Sequence, residues 1–187
     1  GTYPRLTPRE HFTYFGGFYG LFGPELDARV QAVIDMLGMG DFADRRTQGF
    51  SRGQRQKVIL GRALVHDPRN VIMDEPTSGL DVMAVRETRD VIRMLRDRGH
   101  CVLFTTHYMD EAAKLCDRVA IITRGRIAAV GSPTELMEKT GCDSLEDAFV
   151  ALAGGAQGLL VSEYASADGD AQGNGGSGNG DAAGRAR

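Results

Sequence analysis

The chain has 187 residues and a formal net charge of −3 at pH 7, so it is long enough for one domain with a real hydrophobic core and shows no overall positive charge that would favour nucleic-acid binding. Its cysteines, Cys101, Cys116 and Cys142, are odd in number and form no C-x-x-C pair, which predicts reduced thiols in a cytosolic protein and argues against a disulfide frame or a zinc site. No apolar run approaches the ~18 residues that span a bilayer and no signal peptide is visible, so any membrane contact has to pass through a partner.

Residues 1–50 are predicted to be helical. Thr7-Pro8-Arg9-Glu10 is a capping box with proline at the first helical position. Two apolar stripes follow at helical spacing, and they consist of Phe12, Phe15, Tyr19 and Phe22, and then of Leu26, Val30, Val33, Ile34 and Leu37, with Gly38 as the stop. Because a periodic apolar stripe usually marks a buried face, we expect the aromatic residues to belong to the core rather than to stack on a ligand.

From residue 51 on, apolar strands alternate with amphipathic helices. The predicted helices are Ser51–Val65, Val82–Arg98, Asp110–Cys116 and one after the capping box Ser132-Pro133-Thr134-Glu135. The predicted strands are a buried one at Val71–Met73, then Cys101–Thr106, Val119–Thr123 and Arg126–Val130, the last two joined by a tight turn at Arg124-Gly125. This alternation is typical of an α/β sheet that is parallel where helices make the crossovers, and residues at the carboxyl ends of such strands face the ligand crevice.

Two acids, Asp74 and Glu75, follow the predicted strand Val71–Met73 directly. Mg²⁺ prefers one or two carboxylates together with phosphate oxygens and waters, and a second carboxylate beside it can polarise an attacking water. The pair therefore fits nucleotide hydrolysis. On these two residues alone, an interpretation in which one acid only caps the next turn has equal weight.

A second candidate site lies at Ser51-Arg52-Gly53-Gln54, a capping box of the S-x-x-Q type. The plain interpretation is an ordinary helix start. Gly53 in the first turn, however, costs about 1 kcal/mol relative to alanine, which favours a place where another group approaches the backbone closely. Because a helix N-terminus with free N–H groups binds anions, we expect a contact with a γ-phosphate here.

A third candidate is His107, which follows a predicted strand directly, as Glu75 does. A lone histidine is usually structural or merely exposed. At the carboxyl end of a strand, in a sheet that already carries Asp74 and Glu75, it is a better candidate for sensing a phosphate.

Together these segments resemble the motifs of ATP-binding cassette (ABC) ATPases. The similar segments are Phe50–Val58 for the signature motif, usually L-S-G-G-Q, Val71–Glu75 for the Walker B strand with its catalytic Glu, Ser78–Asp81 for the D-loop and Thr106-His107 for the switch histidine. They occur in the family's order and at its usual spacing, and the resemblance extends roughly over residues 1–152. Residues 1–21 and 131–154 are similar to the drug-resistance and sodium-extrusion branch of ABC exporters.

The resemblance implies a role for each motif residue. Asp74 would hold Mg²⁺, partly through water, Glu75 would be the general base and His107 would contact the γ-phosphate. The remaining roles involve a second subunit: contacts with the ATP bound to it would come from Ser51, Gly53 and Gln54, and Asp81 would cross the dimer interface. Arg52 departs from the motif because it stands where the family usually has Gly; its charge opposes the helix dipole slightly, or it could reach a phosphate or an acid across the interface.

A Walker A loop, G-x-x-x-x-G-K-[ST], would supply the backbone N–H groups and the lysine that cradle the phosphates. The sequence contains no Gly-Lys dipeptide. In the family, Walker A, the adenine-stacking aromatic residue and the Q-loop precede the segment that begins here. We therefore expect this chain to be a fragment that lacks the N-terminal part, is marginally folded, binds ATP weakly and is inactive in isolation.

The predicted fold is α/β, the C-terminal part of a P-loop NTPase (RecA-like) core with an ABC helical subdomain. The division is 1–52 for the helical subdomain, 53–131 for the Walker B half of the core, 132–153 for a C-terminal helical extension and 154–187 for a disordered tail. The tail is predicted from its Gly, Ala, Asp, Asn and Ser content.

The predicted function is that of the ATP-binding and ATP-hydrolysing subunit of an ABC transporter. The implied cofactors are ATP and Mg²⁺, and the implied partners are a second nucleotide-binding subunit and a separate membrane permease that couples near residues 1–20, with no nucleic acid. The chain would lie in the cytoplasm, on the inner face of the cell membrane, and power export. The alternatives are a non-transport ABC ATPase acting in DNA repair, chromosome structure or translation, and a catalytically dead interaction subunit.

Overall fold

The computed structural model describes residues 1–154, which fall into two compact units, Gly1–Asp117 and a second that begins at Arg118. The first unit contains α1 (Pro8–Phe18), α2 (Gly23–Met36), α3 (Arg52–Leu64), β1 (Asn70–Asp74), α4 (Val82–Asp97), β2 (Cys101–Thr105) and α5 (Met109–Leu115). The second contains β3 (Val119–Thr123), β4 (Arg126–Gly131), α6 (Pro133–Thr140) and α7 (Leu145–Gly154). The four-segment division made from the sequence stays a prediction, and its tail, apart from Gly154, lies outside the described residues.

Helix α1 begins at the capping box that the sequence predicts. The Thr7 hydroxyl accepts the Glu10 N–H at 3.1 Å, and the Glu10 carboxylate accepts the Thr7 N–H at 2.8 Å. Phe12, a residue of α1, is fully buried, as expected of a core residue. The same expectation is wrong for two later aromatics, because α1 ends at Phe18 and its apolar stripe ends with it: Tyr19 is 59% exposed and Phe22 is 71% exposed.

Strands β1 and β2 pair in parallel, with α4 as the crossover between them. The pairing confirms the parallel sheet predicted from the strand–helix alternation. The prediction of a buried strand at Val71–Met73 is correct for one face only. Val71 and Met73 enter the core, whereas Ile72 on the opposite face is 78% exposed, because successive side chains of a strand point to opposite faces and the hydrophobic core of this unit covers one of them.

The second unit is built on an antiparallel hairpin of β3 and β4. Arg124 and Gly125 both have positive φ, 49° and 71°, which is the backbone of a two-residue hairpin turn that matches the twist of the strands. Ser132 and Glu135 form the predicted capping box at the start of α6. Within residues 1–154 no helix has both the length and the apolar character needed to cross a membrane.

Packing between α1 and α3 yields a direct stability test at two glycines. We expect Gly61→Ala to lower the free energy of unfolding by about 1–3 kcal/mol, because a Cβ built on Gly61 would lie 2.5 Å from Phe12 Cε1. Gly17→Ala, in α1, is the matched control: its Cβ meets no atom within 4 Å, and it should stabilise the helix by up to about 1 kcal/mol. Urea unfolding followed by circular dichroism measures both, and equal effects at the two positions would contradict the packing.

Candidate functional site

The carboxyl ends of β1 and β2 bring the predicted acids and the predicted histidine to one edge of the sheet. Asp74, the last residue of β1, is paired with Thr105, the last residue of β2. The Thr105 hydroxyl donates to Asp74 Oδ1, and the Glu75 N–H donates to the Thr105 carbonyl oxygen and hydroxyl at 3.2 and 3.0 Å. Thr105 therefore links the backbone of Glu75 to the side chain of Asp74.

The backbone at Glu75 is strained. Its φ is +42°, in the left-handed region that residues with a side chain rarely occupy. The turn is closed by the Ser78 N–H, which donates to the Glu75 carbonyl oxygen at 3.0 Å. This conformation turns the chain away from β1 immediately after Asp74 and leaves the Glu75 side chain 47% exposed.

His107 contacts Glu75 directly. The distance from His107 Nδ1 to Glu75 Oε1 is 3.1 Å, and the imidazole is 56% exposed. Because an ionised carboxylate can only accept, Nδ1 carries the proton in this hydrogen bond. The histidine ring also lies against the Tyr108 ring, with centroids 4.1 Å apart. Three of the residues proposed from the sequence, Asp74, Glu75 and His107, thus form one cluster open to solvent.

The donor set at this edge fits a hard divalent cation such as Mg²⁺. Asp74 Oδ1 accepts from Thr105, while Oδ2 makes no hydrogen bond to any described residue. Residues 1–154 contain no group of three or more His, Cys, Asp and Glu side chains arranged to hold a metal ion. A carboxylate that must share the ion with phosphate oxygens and waters is the usual way in which proteins bind Mg²⁺.

The N-terminus of α3 keeps free N–H groups, as predicted. Ser51 and Gln54 are engaged with each other, since each side chain accepts the backbone N–H of the other residue, at 3.2 and 3.1 Å. Among the described residues, nothing accepts from the N–H groups of Arg52 and Gly53. The first turn of α3 therefore still presents two donors together with the positive end of the helix dipole.

Gly53 has a packing role that the sequence does not reveal. A Cβ at this position would lie 3.0 Å from the Cβ of Ala84, so the start of α3 packs closely against the start of α4. The close approach expected at Gly53 is thus present within the chain itself. A contact of Ser51, Gly53 or Gln54 with nucleotide stays a prediction.

The residues between β1 and α4 are connected to α3 through Arg52. Its Nη1 donates to the Gly79 carbonyl oxygen at 3.2 Å, where φ of Gly79 is +68°. Asp81 is the N-cap of α4, because its Oδ1 accepts the Ala84 N–H at 2.9 Å. Asp81 therefore has a structural function in its own chain, whatever it contacts in a dimer.

Sequence reasoning missed the side chains that support the cluster. Thr77, Thr106 and Arg89 all contact Glu111, a residue of the predicted short helix after His107. The threonine pair before His107 and the acid in the first turn of α5 are visible in the sequence. Nothing in the sequence indicates that Glu111 is buried, or that it contacts residues 22 and 34 positions away.

Comparison with known proteins identifies relatives over most of the described chain. Residues 1–78 match the family model described as ABC transporter. The chain is 39% identical over 150 residues to ABC transporter ATP-binding protein NatA of Bacillus subtilis (strain 168), which covers 80% of this chain and 61% of that protein. It is 36% identical over 143 residues to Linearmycin resistance ATP-binding protein LnrL of the same organism, covering 76% and 46%, and 39% identical over 144 residues to Nod factor export ATP-binding protein I of Paraburkholderia xenovorans (strain LB400), covering 76% and 47%.

A solved structure agrees with these relatives. The structure of an ATP binding subunit of an ABC transporter matches with a TM-score of 0.71 and 28% identity, over 81% of this chain and 64% of that chain. This match confirms the predicted P-loop NTPase fold. The present chain spans about half to three fifths of the length of the curated relatives it matches.

The N-cap role of Asp81 can be tested by two substitutions. Asp81→Ala removes the side-chain acceptor for the Ala84 N–H, and we expect it to lower the free energy of unfolding by about 1 kcal/mol. Asp81→Asn keeps an N-cap oxygen and should cost only a few tenths of a kcal/mol. Urea unfolding separates the two, and a stability loss of the same size in both variants would argue against the cap.

Proposed function

We propose that this chain, which belongs to the ATP-binding proteins of ABC transporters, carries the Walker B and signature parts of a site that hydrolyses ATP and powers transport through a separate membrane permease. The observation that carries the proposal is the contact between His107 Nδ1 and Glu75 Oε1, 3.1 Å apart, beside Asp74 at the ends of two parallel strands. A carboxylate that could hold a metal ion, a second carboxylate that could act as general base and a histidine that could contact a phosphate are groups that phosphoryl transfer to water uses.

Glu75 would act as the general base. His107 occupies Oε1, which leaves Oε2 to accept a proton from the water that attacks the γ-phosphate in line. The strained turn leaves this carboxylate 47% exposed, so a bound phosphate and its attacking water could approach it. Asp74 would hold Mg²⁺, which when bound neutralises charge on the phosphate oxygens.

His107 would contact the γ-phosphate through Nε2. Because Nδ1 already carries a proton in the contact with Glu75, a hydrogen bond donated by Nε2 requires the doubly protonated ring. The positive charge of that ring would be balanced by the Glu75 carboxylate on one side and would attract the phosphate on the other. Glu75 therefore has two tasks, to orient the histidine and to accept the proton of water.

The signature segment would act on the ATP held by a second subunit. The N–H groups of Arg52 and Gly53, which no described residue accepts, and the exposed Ser51 would form an anion-binding helix end. The same chain would supply Glu75 to its own nucleotide. Asp81, at the start of α4, would reach the dimer interface while its Oδ1 caps the helix. ATP would thus lie between two copies of the subunit.

The permease would dock at the N-terminal helices, and the direction of transport would be export. Support for docking comes from a group of half- to three-quarters-exposed aromatic side chains before, on and after α1, namely Tyr3, Tyr14, Phe18, Tyr19 and Phe22, since exposed apolar patches of this kind mark protein interaction sites. Support for export comes from the relatives whose names refer to linearmycin resistance and Nod factor export. Docked in this way, the protein would lie in the cytoplasm against the inner face of the membrane.

Removal of the base is the primary test. In the full-length gene product we expect Glu75→Gln to lower the ATP hydrolysis rate about 10²–10⁴-fold while ATP still binds, because glutamine keeps the shape of the side chain and loses its basicity. Asp74→Asn should differ by raising the Mg²⁺ concentration that hydrolysis requires. Glu138→Gln, at an exposed residue of α6, is the matched control and should leave the rate unchanged. An unaltered rate in Glu75→Gln would rule out the proposed base.

Mixed dimers test whether the site forms between two subunits. Ser51→Asp keeps an N-cap oxygen and places a negative charge against the expected phosphate, so both its homodimer and that of Glu75→Gln should be inactive. A dimer of one Ser51→Asp subunit and one Glu75→Gln subunit has both lesions in one composite site and should keep one intact site.

The matched control carries the same two lesions on one chain, paired with a wild-type chain. If sites form between subunits, each site of this control contains one lesion and turnover should be lost. ATP hydrolysis by tandem-purified mixed dimers measures both arrangements. Equal turnover in the two arrangements, or the reverse order, would count against a composite site.

A further inference from the structure

Glu111 is a buried carboxylate that the proposed chemistry does not use. It is 2% exposed, and no other acidic side chain among residues 1–154 is buried. Its Oε1 accepts from Arg89 Nε and Nη2 at 3.0 and 2.9 Å. Its Oε2 accepts from the Thr77 hydroxyl at 2.8 Å and from the Thr106 hydroxyl at 3.4 Å. A buried charge is costly unless it is paired and hydrogen-bonded, and here both oxygens are.

The two threonines connect Glu111 to both halves of the Glu75–His107 pair. Thr77 lies two residues after Glu75, in the turn that the Ser78 N–H closes. Thr106 directly precedes His107, and its hydroxyl also accepts the Tyr108 N–H at 3.0 Å. One carboxylate oxygen thus holds the segment that carries the base and the segment that carries the histidine.

The strain at Glu75 explains why such a support is needed. A residue with a side chain at φ +42° keeps that conformation only when its surroundings over-determine it. The backbone of the turn is held by Thr105 and Ser78. The Thr77 side chain, 4% exposed, adds a bond from the turn to the interior, and Arg89 of α4 fixes the carboxylate that accepts it.

We propose that Glu111 is a positioning residue, which acts through Thr77 and Thr106 to hold Glu75 and His107 within hydrogen-bonding distance of each other. The inference rests on the hydrolytic role proposed for that pair. A carboxylate that fixes two segments from behind leaves nucleotide binding intact and changes the geometry of the chemical step. Its loss should therefore appear in kcat and not in KM for ATP.

Two buried threonines of nearly equal exposure, Thr77 at 4% and Thr88 at 5%, provide the test. Thr77→Val removes the hydroxyl that donates to Glu111, whereas Thr88→Val removes a hydroxyl that donates to the Ala84 carbonyl oxygen within α4 at 2.8 Å. In the full-length gene product we expect Thr77→Val to lower kcat at least about tenfold, because small misplacement of a catalytic group is costly, with KM for ATP within about twofold. Thr88→Val should leave kcat within about twofold at a similar thermal midpoint. Equal effects on kcat would overturn the proposal.

Glu111→Gln extends the test to the carboxylate itself and should lower kcat at least as much as Thr77→Val. Where Glu111→Gln fails to fold, Thr77→Val carries the test alone.

A double-mutant cycle with Glu75→Gln shows whether Glu111 acts through Glu75. In the Glu75→Gln variant, adding Thr77→Val should lower the residual rate no further, and a full multiplicative loss would overturn the proposal. An unchanged rate in Glu75→Gln would overturn the hydrolytic role and this inference with it. Loss in Glu75→Gln without loss in Thr77→Val would overturn this inference alone.

Discussion

The candidate site depends on the parallel pairing of β1 with β2. A parallel pair brings both carboxyl ends to the same edge, so the register that sets Asp74 opposite Thr105 also fixes the two acids at the end of β1 and the histidine that follows β2. The core sets that register, because a slip of one residue would move Val71 and Met73 from the buried face to the open face. The burial of Val71 and Met73 therefore sets the strand register, and the register in turn sets the position of Glu75.

Helix α4 carries the same constraint to the other predicted segment. Asp81 caps the helix, Ala84 contacts the position of Gly53, and Arg89 pairs with Glu111. Successive turns of one helix therefore touch the start of α3 and the support behind the Glu75–His107 pair. A displacement of α4 along its axis would therefore move both the first turn of α3, which contains Gly53, and Glu111, which lies behind the Glu75–His107 pair. The two segments proposed to act on nucleotide thus share one rigid helix within the chain.

Short-range signals made much of the fold predictable. The capping boxes at Thr7, Ser51 and Ser132 need only residues three positions apart, and each forms as expected. The edge-of-sheet cluster was predictable as well, because it follows from strand order and parallel pairing alone. Contacts set by tertiary packing were not. The exposure of Ile72 depends on which face the core covers, and the pairing of Glu111 with Arg89 depends on how α5 packs against α4. The N-cap role of Asp81 was predictable too, because this residue directly precedes a predicted helix and aspartate is a good N-cap, whereas the resemblance to the D-loop implies only an interface role.

Glu75 breaks a local rule without a packing gain, and this bears on its function. A glycine would adopt φ +42° without the steric cost that a side chain incurs, which is about 1 kcal/mol or more. The Glu75 side chain is half exposed and contributes nothing to the core, so burial does not offset that cost. Its one side-chain hydrogen bond to a described residue, His107, is partly exposed and contributes little to stability. Sequences agree with their folds at most positions and depart from them at functional sites. A glutamate at a strained position, next to segments held by a buried network and itself open to solvent, fits the role proposed above for its carboxylate.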